Sequence, residues 1–111
     1  MGRKKAVIWF EQGDVCLIPV TIPQEAEAIA GDVLRHGEAT GHSHRVRGRA
    51  ELLEHGTERV RYLRLFDHVE VVHEEHRPIH LPRPAAPFTG YEVRVVKEWD
   101  HFAEEAREVV D

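Results

Sequence analysis

His42 and His44 are separated by a single residue, and His73, His76 and His80 follow at intervals of three and four. Nine histidines in 111 residues is an unusual density, and two segments hold most of the spacing that could do chemistry. The first is Gly37-Glu38-Ala39-Thr40-Gly41-His42-Ser43-His44, and the second is His73-Glu74-Glu75-His76-Arg77-Pro78-Ile79-His80. In a strand, residues two apart share a face and stand roughly 7 Å apart. His42 and His44 can therefore converge on one ion. Neutral imidazole ligates Zn, Fe, Ni, Cu or Mn, and a carboxylate completes a mixed nitrogen and oxygen set. A third ligand has to come from the second segment. His73 and His76 lie on opposite faces of an ideal strand, so the spacing favours one of them, His76 at the expected strand end, with His73 in reserve. Glu38 or Glu74 would supply a fourth ligand or a base.

Other chemistries have less behind them. Paired His and Glu can do general acid–base work without a metal, because imidazole titrates near neutral pH. Ser43 should point away from its flanking histidines, which makes it a poor nucleophile. Cys16 sits in the apolar run Val15–Ile18 and reads as a small buried hydrophobe. It has no partner cysteine, so nothing requires an oxidising compartment. No P-loop and no dinucleotide fingerprint is present. His36, His55, His68 and His101 each stand alone and read as solvated side chains.

Arginine is the second concentration. Residues 35–64 hold seven arginines against four acids, although the chain as a whole carries a formal charge of -5. Arg45, Arg47 and Arg49 alternate, and Arg59, Arg61 and Arg64 follow. Such a hairpin could orient an anionic substrate through Arg45 or Arg47, or grip phosphates of RNA. It could equally be a solvated face of Arg–Glu pairs. The overall acidity argues against a nucleic-acid specialist.

The elements that must position these residues are short. Apolar residues make up 41% of the chain and charged residues 32%, enough for one modest core over residues 1–111. Strands are expected at Ala6–Phe10, Val15–Val20, Ala50–Glu54, Arg59–Leu65, Val69–Glu75 and Tyr91–Trp99. Residues 24–30 could make one or two helical turns between Pro23 and Gly31. Pro78, Pro82, Pro84 and Pro87 should exclude regular ladder positions. Phe102, Ala106 and Val109 fall at helical spacing, which predicts a short C-terminal helix over about 100–110. The sum is an all-β domain, a small antiparallel barrel or sandwich with a core over about 6–99.

The segments Gly13-Asp14-Val15, Leu17-Ile18-Pro19, Gly37–His44, His73–Ile79 and Tyr91-Glu92-Val93 together resemble a group of small, largely uncharacterised bacterial and phage proteins. The resemblance covers most of residues 12–99 and implies no activity. Gly37, His42, His44 and a later His76 also resemble the metal motifs of the cupin superfamily. That likeness implies a small β-barrel with a histidine metal site. The spacing from Gly37 to His42 is short for that family, and the prolines follow His76 instead of preceding it.

The sequence thus leads to a small β-barrel protein with a divalent metal (Zn, Fe, Ni or Mn) on His42, His44, His76 and His73. Glu38 or Glu74 would act beside it, on a small anionic substrate. The rival is a non-catalytic module contacting RNA or protein through the arginine hairpin. The apolar stretch after Lys4-Lys5 is too short for a secretory signal, so a cytoplasmic protein that spans no membrane is expected. The apolar face of the tail could dock a second copy, giving a homodimer.

Overall fold

A computed structural model describes residues 9–36 and 42–95 of the chain. These form ten strands: β1 (Phe10–Gln12), β2 (Val15–Val20), β3 (Glu27–Ile29), β4 (Val33–His36), β5 (Ser43–Arg47), β6 (Ala50–His55), β7 (Val60–Leu65), β8 (Val69–His73), β9 (His76–Leu81) and β10 (Gly90–Val95). No helix occurs among the described residues. The fold is all-β. Two antiparallel sheets, ordered β1-β2-β10-β7-β6-β3 and β4-β5-β8-β9, pack against each other.

Period-two alternation explains the core. Val15 and Leu17 of β2, Val46 of β5, Leu63 and Leu65 of β7, Val69 and Val71 of β8 and Tyr91 of β10 turn inward into one buried cluster. Each fully buried Leu or Val contributes about 1.5–3 kcal/mol relative to exposure. The other face of the larger sheet carries smaller clusters, Cys16 with Ile18 and Ile22 with Leu53 and Tyr62. Cys16 is buried there as a hydrophobe, as its neighbours predict. Tyr91 donates its hydroxyl to Pro82 O at 2.7 Å, and burial pushes its pKa up to about 12.

Several sequence expectations need correction. Residues 24–30 make a turn and then β3, not helical turns. Its three residues pair with Leu52, Leu53 and Glu54 of β6, and that ladder outweighs a helical tendency too short to nucleate. Pro78 lies inside β9 rather than ending the strand. β9 is the outer strand of its sheet, and the register with β8 shifts between Val71 and His73, so no N–H is needed from Pro78. Pro19 is tolerated in β2 because β1 pairs only as far as Leu17. The predicted C-terminal helix lies outside the described residues.

Candidate metal centre

Two hairpin turns and the start of β5 meet at one end of the sandwich. The β1–β2 hairpin has a two-residue loop, Gly13-Asp14, between the paired Gln12 and Val15. Gly13 has φ +59, the left-handed value that glycine supplies at the first loop position of a tight hairpin. A Cβ on Gly13 would lie 2.5 Å from His76 Nε2, so glycine also lets that imidazole rest on the turn. The β8–β9 hairpin closes over Glu74-Glu75, with His73 and His76 directly paired across it. His42 leads into β5, and His44 lies on the buried face of that strand.

The four imidazoles of the two segments therefore form one cluster. Ring centroids lie 5.7 Å apart for His42 and His73, 4.4 Å for His44 and His73, 4.7 Å for His73 and His76, and 6.2 Å for the nearly parallel His44 and His76. The expectation that only one of His73 and His76 faces His42 and His44 is overturned. The two are not successive positions on one strand but opposite partners in a hairpin, and cross-strand partners share a face.

Donor atoms of His42, His73 and Glu74 lie within 4.8 Å of one another, a set that could close on an ion with small side-chain adjustments. Glu74 Oε1 accepts the Ser43 backbone N–H at 3.3 Å. Its carboxyl is held below the usual range by its own backbone N–H, then by that of Ser43 and the nearby His42 and His73. Glu75 Oε1 stands 3.4 Å from His42 Nδ1, and the Glu75 backbone N–H donates to His73 Nδ1 at 3.0 Å. That bond places the proton of a neutral His73 on Nε2.

His44 has a different environment. Its Nδ1 lies 2.9 Å from Gln12 Oε1 and its Nε2 lies 2.9 Å from Asp14 Oδ1. Gln12 is buried and donates its amide nitrogen to Val71 O and Arg77 O, both at 2.9 Å. Two carbonyl acceptors fix which end of the amide is nitrogen, so Oε1 must be the acceptor facing His44. Burial lowers the His44 pKa, opposed by the hydrogen bond to Asp14, while His73 and His76 lower it further. For Asp14, burial raises the carboxyl, but the hydrogen bond from His44, its own backbone N–H and the charges of His44 and Arg35 bring it below its usual value.

Gln12, Asp14 and Arg35 are the site residues that sequence reading missed. Asp14 was visible only as half of a Gly-Asp turn, and Gln12 only as a polar residue before it. Arg35 pairs with His44 across the β4–β5 ladder. Arg45 and Arg47, favoured from the sequence as substrate contacts, are exposed on β5 where His44 and Val46 are buried. They occupy the opposite face of the strand from His44, and Arg45 reaches Asp32 at 3.3 Å. Arg61 and Arg64 pair with Glu54 and Glu51 across the β6–β7 hairpin. Glu38 lies outside the described residues.

The model of the family described as Domain of unknown function (DUF8820) matches residues 11–84, two thirds of the chain. The chain belongs to that family. The match includes the Gly13-Asp14 turn and both histidine segments, so every residue of the cluster falls within it. No curated protein and no solved structure matches the chain.

Proposed function

We propose that this DUF8820 protein binds a divalent transition-metal ion at the end of its sandwich, with His42, His73 and Glu74 as donors and His44 and His76 beside them. The observation that carries the reading is the convergence of imidazoles from two segments about thirty residues apart, with the donor atoms of His42, His73 and Glu74 within 4.8 Å of one another. Two nitrogens and one carboxylate oxygen suit Zn, Fe, Ni or Mn. His73 would have to give up its bond from the Glu75 amide or move its Nε2 proton, so binding would compete with protons.

Three protein donors leave coordination positions for water or a small anion. An ion so held could polarise a carbonyl or lower the pKa of bound water. An anionic ligand there would meet Arg35 sooner than Arg45 or Arg47, because Arg35 pairs with His44 across the β4–β5 ladder while Arg45 and Arg47 lie on the opposite, exposed face of β5. A metal-dependent reaction on a small anionic substrate is the activity this arrangement would support.

Metal content of protein purified without an affinity tag tests the reading, with the His42→Ala/His73→Ala double variant alongside. The wild type should retain at least one ion per chain after dialysis, and the variant at least one fewer. Equal content in the two proteins would remove the proposal.

A further inference from the structure

The His42–His73–Glu74 trio leaves the buried Gln12 and His44 unused. Gln12 bridges the two sheets, with both amide hydrogens and its amide oxygen engaged. Its nitrogen serves Val71 O and Arg77 O, and its oxygen faces His44 Nδ1 at 2.9 Å. His44 Nδ1 must then be the donor, which directs the remaining nitrogen, Nε2, at Asp14 Oδ1 2.9 Å away. At that separation a proton or a metal ion must stand between the Nε2 lone pair and the carboxylate: the proton makes the His44–Asp14 hydrogen bond, and a divalent cation can take its place. A buried Nδ1–H held by an amide or carbonyl oxygen is the usual support behind an Nε2 metal ligand.

The separation also suits metal ligation. With metal–nitrogen and metal–oxygen bonds of about 2.0–2.1 Å, donors at right angles stand about 2.9 Å apart and tetrahedral donors about 3.3–3.4 Å, so a zinc ion needs a shift of about 0.4 Å. Asp14 has the mobility to adjust, since its side chain is 64% exposed while that of His44 is 4% exposed. His76 lies against Gly13, on the same turn that carries Asp14, with its ring nearly parallel to that of His44. His73 packs between the two groups, with its centroid 4.4 Å from His44 and 5.7 Å from His42.

We propose that His44 Nε2 and Asp14 Oδ1 form a second divalent-cation position beside the His42–His73–Glu74 trio, with Gln12 as its positioning residue. The inference rests on reading the cluster as a metal centre and adds a second ion, two new residues and a division of the histidines into separate ligand groups. With two protein donors the second ion keeps several open positions. An oxyanion or hydroxide spanning both ions is the class of ligand that such a pair takes.

The test is a zinc titration of the full-length, tag-free protein after chelator dialysis, followed by calorimetry and by metal analysis of the washed protein. Wild type should bind two zinc ions per chain. Asp14→Ala, a change at an exposed turn position, should bind one. Gln12→Met should weaken the second ion about 10–100-fold, the usual effect of removing such a support. Nitrogen shifts of the His44 ring should show Nδ1–H with Nε2 metal-bound in the two-zinc form. One ion in both wild type and Asp14→Ala, at equal affinity, would overturn the second position and leave the trio intact. Two ions in both would also overturn it. No zinc in the wild type would remove the centre on which both proposals stand.

Discussion

Gln12 and His44 are joined at 2.9 Å across the two sheets, and that contact makes Nδ1 of a buried imidazole a proton donor. The same amide holds Val71 O on β8 and Arg77 O on β9, next to the register shift opposite Pro78. One side chain therefore closes the seam between β1 and the smaller sheet and orients the buried histidine of the cluster.

Gln12→Leu should be among the most damaging polar-to-apolar changes in the chain. It strands two carbonyls and the His44 Nδ1–H, and each buried group left without a partner costs about 1–3 kcal/mol. A loss of about 3–5 kcal/mol in urea unfolding is expected, with partial recovery where water enters the gap. A loss below about 1 kcal/mol would show that these bonds are replaceable.

Gly13→Ala tests the turn that carries Asp14. Alanine at φ +59 costs about 1 kcal/mol relative to glycine, and its Cβ would meet the His76 ring. The obstacle is the end of a movable side chain, so His76 should swing away while the fold persists. A modest stability loss is expected together with a changed His76 imidazole resonance. An unchanged resonance would mean that His76 does not rest on Gly13.

Much of the architecture is legible in the sequence. The apolar run Val15–Val20 and the expected strands Arg59–Leu65 and Val69–Glu75 mark β2, β7 and β8, the last expectation running two residues too far because Glu74-Glu75 is the turn into β9. The two histidine segments are legible as candidates because His-x-His spacing needs no tertiary information. The joint placement of His73 and His76 is not legible, because it depends on where the chain reverses. Glu74-Glu75 carries no glycine or proline to announce a two-residue turn. Gln12 and Asp14 are invisible for a related reason: their role comes from β1 lying against β9, a contact between distant segments. Residues 24–30 misled because local helical tendency says nothing about an available edge on β6.

Acid should weaken the fold through His44 and Asp14. Burial lowers the His44 pKa from 6.5 despite the Asp14 bond, and the His44 bond lowers Asp14 from 3.8 despite burial. Both groups hold protons less tightly folded than unfolded. Their contribution is therefore complete above 6.5 for His44 and above 3.8 for Asp14, and each is lost as pH falls through the lower folded value. The urea midpoint of metal-free protein should fall from pH 7.5 to pH 5, and His44→Gln should flatten that fall. Parallel pH profiles for the two proteins would contradict the assignment.

Arg59 offers a prediction in the opposite direction. It ends the β6–β7 connection with φ +55, the one non-glycine residue in the left-handed region among the described residues. Its amide donates to Gly56 O at 3.1 Å, so the turn is closed by backbone rather than by the arginine side chain. A side chain there costs about 1 kcal/mol that glycine avoids, although glycine returns part of this as greater freedom in the unfolded chain. Arg59→Gly should therefore stabilise by a few tenths of a kcal/mol, and Arg59→Asn by a similar amount because asparagine tolerates this conformation. Arg59→Val should destabilise by at least about 1 kcal/mol, since a β-branched residue fits worst there. Urea midpoints of the three variants decide the matter. If Arg59→Gly proved clearly destabilising, the arginine side chain would be contributing more than its backbone strain, and the groove it borders with Arg35, Glu58 and Arg94 would be where to look for its partner.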